Sequence, residues 1–100
     1  MIRHVVLFNT KPTAEQEEID AMTGAVPRLL GQIPGVRHLA LSATFEVVEP
    51  PRYRYGLTME FDTEEAMRAY LPHPLHQEFR QLLVAVRDDY TIATMREVGG

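Results

Sequence analysis

Two of the seven prolines in the chain fall inside one heptapeptide, Tyr70-Leu71-Pro72-His73-Pro74-Leu75-His76, and no continuous helix can run through it. Proline fixes its own φ and disfavours the α region for the residue before it. A helix running into Tyr70 must therefore stop near Leu71, and His73 must be extended. Pro74 then opens a new helix, at the one position where its missing N–H costs nothing. His76 falls in the first turn of that helix, near the positive end of the dipole, which disfavours imidazolium and keeps the ring neutral at neutral pH. A neutral imidazole beside a phenol can work as an acid/base pair. Whether the pair faces a cavity depends on what the rest of the chain builds around it.

Ile2 to Phe8 is rich in β-branched and aromatic residues and is closed by Asn9 and Pro12, so it reads as a strand. Alternation sets Ile2, His4, Val6 and Phe8 on one face, and Arg3, Val5 and Leu7 on the other. Both faces are largely apolar, as in a strand covered on both sides. Thr13-Ala14-Glu15-Gln16 fits a capping box with Thr13 as N-cap. Ile19, Met22, Val26, Leu29, Leu30 and Ile33 follow at helical spacing. Pro27 is expected to kink this helix, and Pro34-Gly35 to end it. Val36 to Val48 predicts a second strand, Glu49-Pro50-Pro51-Arg52 breaks it, and Tyr53 to Phe61 predicts a third, paired antiparallel with the second. Asp62 is placed to cap a helix through Ala66, Met67 and Tyr70. Leu75, Phe79, Leu82, Leu83 and Val86 carry the helix after Pro74. Tyr90 to Arg96 closes the chain as a fourth strand, and Val98-Gly99-Gly100 is expected to fray.

The order is β-α-β-β-α-β, which predicts an α+β, ferredoxin-like domain over residues 1–100: a four-stranded antiparallel sheet with helices on one face. The other face of such a sheet is uncovered. Val5, Leu7, Leu39, Leu41 and Phe45 are candidates to make it apolar, and an exposed apolar face marks an interface. A homodimer with sheets packed face to face is the expectation.

Composition removes several alternatives. A formal charge of −4 and no Lys/Arg cluster argue against a nucleic-acid partner. With no cysteine, disulfides, thiolate catalysis and Cys-based metal centres are excluded. The N-terminal apolar run, Ile2 to Phe8, is too short for a signal peptide, and no segment approaches the ~18 apolar residues of a membrane span. A soluble, cytoplasmic domain without a membrane partner is expected.

The segments His4-Val5-Val6-Leu7-Phe8, Ile33-Pro34-Gly35-Val36 and Ala69-Tyr70-Leu71-Pro72-His73-Pro74-Leu75-His76 together resemble the stress-responsive dimeric α/β-barrel (Dabb) family over essentially the whole chain. The resemblance implies a ferredoxin-like monomer that dimerises into an α/β barrel. Many members have no assigned activity. One plant member, olivetolic acid cyclase, is a polyketide cyclase that closes a ring by aldol condensation without metal or cofactor. By the matching motif positions, its acid/base histidine corresponds to His76, its assisting tyrosine to Tyr70 and its N-terminal strand histidine to His4. Ser42, Arg52-Tyr53 and Thr94-Met95 depart from the family's common pattern.

Each candidate also has a plainer reading. His76 is a general base for an acidic C–H or O–H, or a histidine that only packs at a helix start. Tyr70 polarises a substrate carbonyl, or is a core aromatic whose hydroxyl finds a backbone partner. His4 is a satisfied core histidine, unless its face lies under the helices, where it would line the same cavity as His76. His73 is structural or a ligand contact. A metal at His73, His76 and His4 is disfavoured, because two prolines constrain the segment and no carboxylate stands at ligand spacing. No cofactor is expected. If the domain is an enzyme, the reaction is cyclisation, isomerisation or another enolate reaction of a small apolar or keto-type metabolite. The expected pocket lining is Val6, Phe8, Met22, Val26 and Leu57, with His73. The alternative is a non-catalytic stress-response or small-ligand-binding dimer; a cofactor-independent monooxygenase is a weaker third.

Overall fold

The computed structural model describes residues 1–99. In chain order the elements are β1 (Ile2–Thr10), α1 (Gln16–Leu29), β2 (Arg37–Ala43), β3 (Tyr55–Phe61), α2 (Glu64–Tyr70), α3 (Pro74–Val86) and β4 (Arg87–Arg96), with a short 3-10 turn at Leu30–Gln32. The strands form one antiparallel sheet in the order β2-β3-β1-β4, the ferredoxin-like arrangement predicted from the sequence.

The proline corner is built as its chemistry requires. α2 ends at Tyr70, and a turn closed by the His73 N–H on the Tyr70 carbonyl (3.1 Å) leads to Pro74 in the first turn of α3. Leu71 stays in the α region despite preceding Pro72. His73 is extended (φ −60, ψ 135) and its Nδ1 accepts the Leu75 N–H at 3.1 Å. It is therefore the N-cap of α3, satisfying one of the N–H groups that a helix start leaves unpaired.

The helix-facing side of the sheet is Ile2, His4, Val6 and Phe8 from β1 with Leu57, Met59 and Phe61 from β3, all buried. These pack on Met22, Val26 and Leu29 of α1, Met67 and Tyr70 of α2, and Phe79, Leu83 and Val86 of α3. Edge strand β4 is different. Its helix-side residues Ile92 and Thr94 stay exposed, because the helices lie over the other three strands.

Several boundaries differ from the sequence reading. The cap of α1 is Glu15, not Thr13: Lys11-Pro12-Thr13 closes a turn (Ala14 N–H to Lys11 carbonyl, 3.0 Å), and the Glu18 carboxylate accepts the Glu15 N–H at 3.0 Å. α1 continues through Pro27 and tightens into the 3-10 turn only at Leu30; Gly35 then turns the chain at φ +91. α2 is capped by Thr63, whose Oγ1 accepts the Ala66 N–H at 3.1 Å, while Asp62 pairs with Arg37 at 3.1 Å. β2 ends at Ala43, and Phe45, Val47 and Val48, expected within it, lie exposed in the following loop. β3 starts at Tyr55. β4 starts at Arg87, not Tyr90, directly at the end of α3, so Asp88 and Asp89 are strand residues. Val98 is fully exposed beyond β4, and Gly100 lies outside the described residues.

The outer face of the sheet also needs one correction. Leu41 pairs with Leu57, and both Leu39 and Leu41 pack against the core on the helix side. The apolar part of the outer face is Val5 and Leu7, both half-buried. Their cross-strand neighbours are small: Gly56 and Thr58 on β3, Thr91 and Ala93 on β4. Leu7 lies across Gly56, where an added Cβ would come within 3.2 Å of its Cδ2. Arg3, Glu60 and His38 form a polar rim at one end, with Arg3–Glu60 at 3.0 Å.

Candidate functional site

The uncovered inner side of β4 leaves a cavity of about 310 Å³ between β1, β4, α2 and α3. His4, Tyr70 and His76, picked out from the sequence, all line it, and so do Val6 and Leu57. The rest of the wall is Met67, Leu71, Phe79, Arg80, Leu83, Arg87, Ile92 and Thr94.

Tyr70, at the end of α2, is the hub of an aromatic cluster. Its ring centroid lies 4.5 Å from that of His76, 5.4 Å from that of Phe61 and 6.0 Å from that of His4. The side chain is buried, and burial raises the phenol pKa well above its ordinary value of 10.0. The group is thus a protonated donor throughout the physiological range. Among the described residues its hydroxyl has no protein partner, yet no buried side-chain polar atom lacks one. The hydroxyl therefore opens on the cavity.

His76 is positioned by a bond from its Nδ1 to the Leu71 carbonyl at 2.8 Å. A carbonyl only accepts, so Nδ1 carries the proton and the Nε2 of the neutral ring is left with its lone pair. Gln77 donates to the same carbonyl at 2.8 Å. Burial lowers the His76 pKa, and the Arg80 guanidinium one helical turn away lowers it further, against an opposing effect of the Leu71 bond. The α3 N-terminus acts in the same direction as burial. His4 is buried too; its Nδ1 is 2.8 Å from the Thr94 hydroxyl, and its pKa is lowered by burial and then by the charge of His76. The two imidazoles thus sense each other across one space. The arrangement offers a neutral ring nitrogen able to take a proton, a phenol able to donate to an oxygen, and largely apolar walls.

The other expected lining residues do not reach the cavity. Phe8 is buried against Tyr55, with ring centroids 5.4 Å apart. Met22 and Val26 belong to α1, which packs on α3 and β2, away from the β4 side. His73 is occupied as the α3 cap. Conversely, the sequence does not single out the two arginines, and it marks Thr94 only as a departure from the family's common pattern. Arg80 could have been found, because it stands four residues after His76 on a helix. Thr94 follows only from the β1–β4 register, which sets it opposite His4. Arg87 has no local signal. Among the described residues no three His, Cys, Asp or Glu side chains converge as metal ligands, and no helix is long and apolar enough to cross a membrane.

Comparison with known proteins agrees with this architecture. The stress responsive A/B barrel domain pattern matches residues 2–95. An uncharacterized protein of Streptomyces coelicolor is 32% identical over 79 residues, covering 77% of this chain and 80% of its own. A stress-response A/B barrel domain-containing protein of Arabidopsis thaliana is 24% identical over 90 residues; that match covers 89% of this chain but only 34% of the plant protein. Among solved structures, a Dabb family protein with a ferredoxin-like fold from Mesorhizobium loti superposes with a TM-score of 0.83 at 26% identity, covering 98% of this chain and 97% of the other. A dimeric ferredoxin-like protein of unknown function from Thermobifida fusca superposes at 0.81 with 23% identity, covering 94% and 88%. A match across nearly all of the chain, on the fold just described, means that it belongs to the stress-responsive A/B barrel domain family.

Proposed function

We propose that the cavity is an acid/base site for a small keto-type ligand, worked by His76 and Tyr70 without a cofactor. The observation that carries this reading is the pairing of the free, unprotonated His76 Nε2 with the partnerless Tyr70 hydroxyl on one apolar cavity. His76 Nε2 takes a proton from carbon next to the ligand's carbonyl, and the C–H electron pair moves into a carbon–carbon double bond. The carbonyl π pair moves onto oxygen, where the Tyr70 hydroxyl donates a hydrogen bond to the growing charge. The enolate carbon then attacks a second carbonyl of the same ligand, closing a ring as the first carbonyl re-forms and the new alkoxide takes back the proton held on His76 Nε2, or the enolate carbon is itself reprotonated by His76. Held by Thr94 and set edge-on to Tyr70, His4 orients the phenol. In the same reading the protein works as a cytoplasmic homodimer joined through the Val5/Leu7 face of the sheet, in keeping with neighbours described as dimeric.

The test is α-proton exchange into methyl 3-benzoylpropionate, a neutral ketone, followed by NMR in heavy water. Wild-type protein accelerates exchange, and His76→Asn, which keeps a donor in place of Nδ1 but has no basic nitrogen, loses about 10²- to 10⁴-fold of the acceleration. An Asn variant as fast as wild type refutes the base. The second reading, a non-catalytic ligand-binding dimer, is favoured by one fact: both cavity histidines already have a hydrogen-bond partner within the protein. It predicts saturable binding of the ketone with no exchange.

A further inference from the structure

The arginines of the cavity wall extend that reading to the ligand's charge. The chain carries fourteen acidic residues against ten basic ones, yet no Asp or Glu lines the cavity, while Arg80 and Arg87 do. Arg3, Arg37, Arg52, Arg68 and Arg96 each pair with a carboxylate. Among the described residues, Arg28, Arg54, Arg80 and Arg87 pair with none, and of these only Arg80 and Arg87 line the cavity. Arg87 stands at the junction of α3 and β4 with its guanidinium 3.7 Å from the Tyr90 ring centroid, a contact that leaves its hydrogen-bond donors unused. Arg80 stands one turn beyond His76 on α3. The cavity of an acidic protein is therefore locally cationic, beside walls that are otherwise apolar.

We propose that the ligand is a keto acid: its carbonyl lies at Tyr70 and His76, and its carboxylate is received by Arg80 and Arg87. The inference rests on the acid/base reading of the site but adds to it the chemical class of the substrate. A forked guanidinium matches a carboxylate with two parallel donors; Arg87 is half-buried, while Arg80 stands exposed at the rim of the cavity. At about 310 Å³ the cavity is at the small end of ligand pockets, suited to a compact aromatic or aliphatic keto acid.

The experiment compares 3-benzoylpropionate with its methyl ester, two probes with the same ketone and different charge. Dissociation constants come from NMR titration of the whole chain, and exchange rates from the same samples. The acid is expected to bind at least about tenfold tighter than the ester, the size of one charge-assisted hydrogen bond, and the preference shrinks with added salt. In Arg80→Gln/Arg87→Gln the acid-to-ester preference falls to about one. Arg80→Lys/Arg87→Lys, which keeps both charges but not the forks, retains part of the preference, so a preference lost as completely as in the Gln pair overturns the charge argument. An acid no better than the ester, with the ester still bound and exchanged, overturns the keto-acid assignment and leaves the acid/base site standing. Binding of neither probe overturns both.

Discussion

Replacing Tyr70 by Phe separates chemistry from packing more cleanly than any other change in this domain. The ring sits at 2% exposure against Phe61, His76 and His4. Removing it altogether, as in Tyr70→Ala, would cost about 3–5 kcal/mol through lost transfer energy and a residual cavity. Tyr70→Phe keeps all of that packing and deletes one oxygen. Because no protein group bonds to the hydroxyl, no partner is left unsatisfied, and the expected stability change is within about 0.5 kcal/mol. For a domain of 100 residues this is a shift in Tm of no more than about 2–4 °C. The reaction should respond very differently. Loss of one donor to a developing oxyanion costs about 2.7–4 kcal/mol, or roughly 10²- to 10³-fold in rate. Differential scanning fluorimetry and the ketone exchange assay, run on the same preparation, read the two quantities. A melting temperature lowered by more than about 6 °C would mean that the hydroxyl has a structural partner and the cavity-facing assignment is wrong. An unchanged exchange rate at unchanged Tm would remove Tyr70 from the chemistry.

Two further outcomes follow from the same geometry. His4 and His76 titrate below the ordinary histidine value of 6.5, so the unfolded chain binds protons first as pH falls, and stability present above that value is lost progressively beneath it. Exchange activity should fall over the same acid range and show no alkaline limb from Tyr70 until well above pH 10, where the elevated phenol begins to ionise; a rate that rises on acidification would contradict a neutral His76 base. Leu7→Glu places a charge on the outer face of β1 beside Gly56 without touching the cavity, and light scattering coupled to size exclusion should show a monomer in place of a wild-type dimer. A monomeric wild-type protein would dismiss the sheet-face interface outright.

Much of this architecture could be read from residue types alone, and the reasons differ by element. Period-two alternation in β1 and β3 is dense enough to set the strand and to group His4 with Val6 and Phe8 on one face, but it leaves open which face the helices cover. The prolines at 72 and 74 dictate the helix corner almost by covalent geometry. Helix caps were less legible. Thr13 and Asp62 are good caps in isolation, but a turn at Lys11–Thr13 and an ion pair from Asp62 to Arg37 claim them first. The fourth strand reads as starting only at Tyr90, because aspartate disfavours strands at 88 and 89, whereas pairing along β1 extends it back to Arg87. The cavity wall was the least accessible feature. Which of two buried faces borders a void depends on which strand the helices leave bare, and no local pattern encodes that. Hence Phe8, Met22 and Val26 went to the solid part of the core, while Ile92, Thr94 and Arg87 came to the wall from an edge strand.

The corner at Leu71 has an evolutionary consequence. In the proposed chemistry the proton acceptor and the hydroxyl donor come from one short stretch of chain, tied together by the bond from His76 to the Leu71 carbonyl. Much of the surrounding wall comes from strands far away in sequence. Substitutions on β4 or late in α3 can thus remodel the shape and charge of the chamber while the reactive pair keeps its internal spacing. A scaffold divided in this way lets descendants change what they accept without reinventing how they act on it. Substrate range across such proteins should then track positions 80, 87, 92 and 94, and not the heptapeptide that carries the phenol and the imidazole.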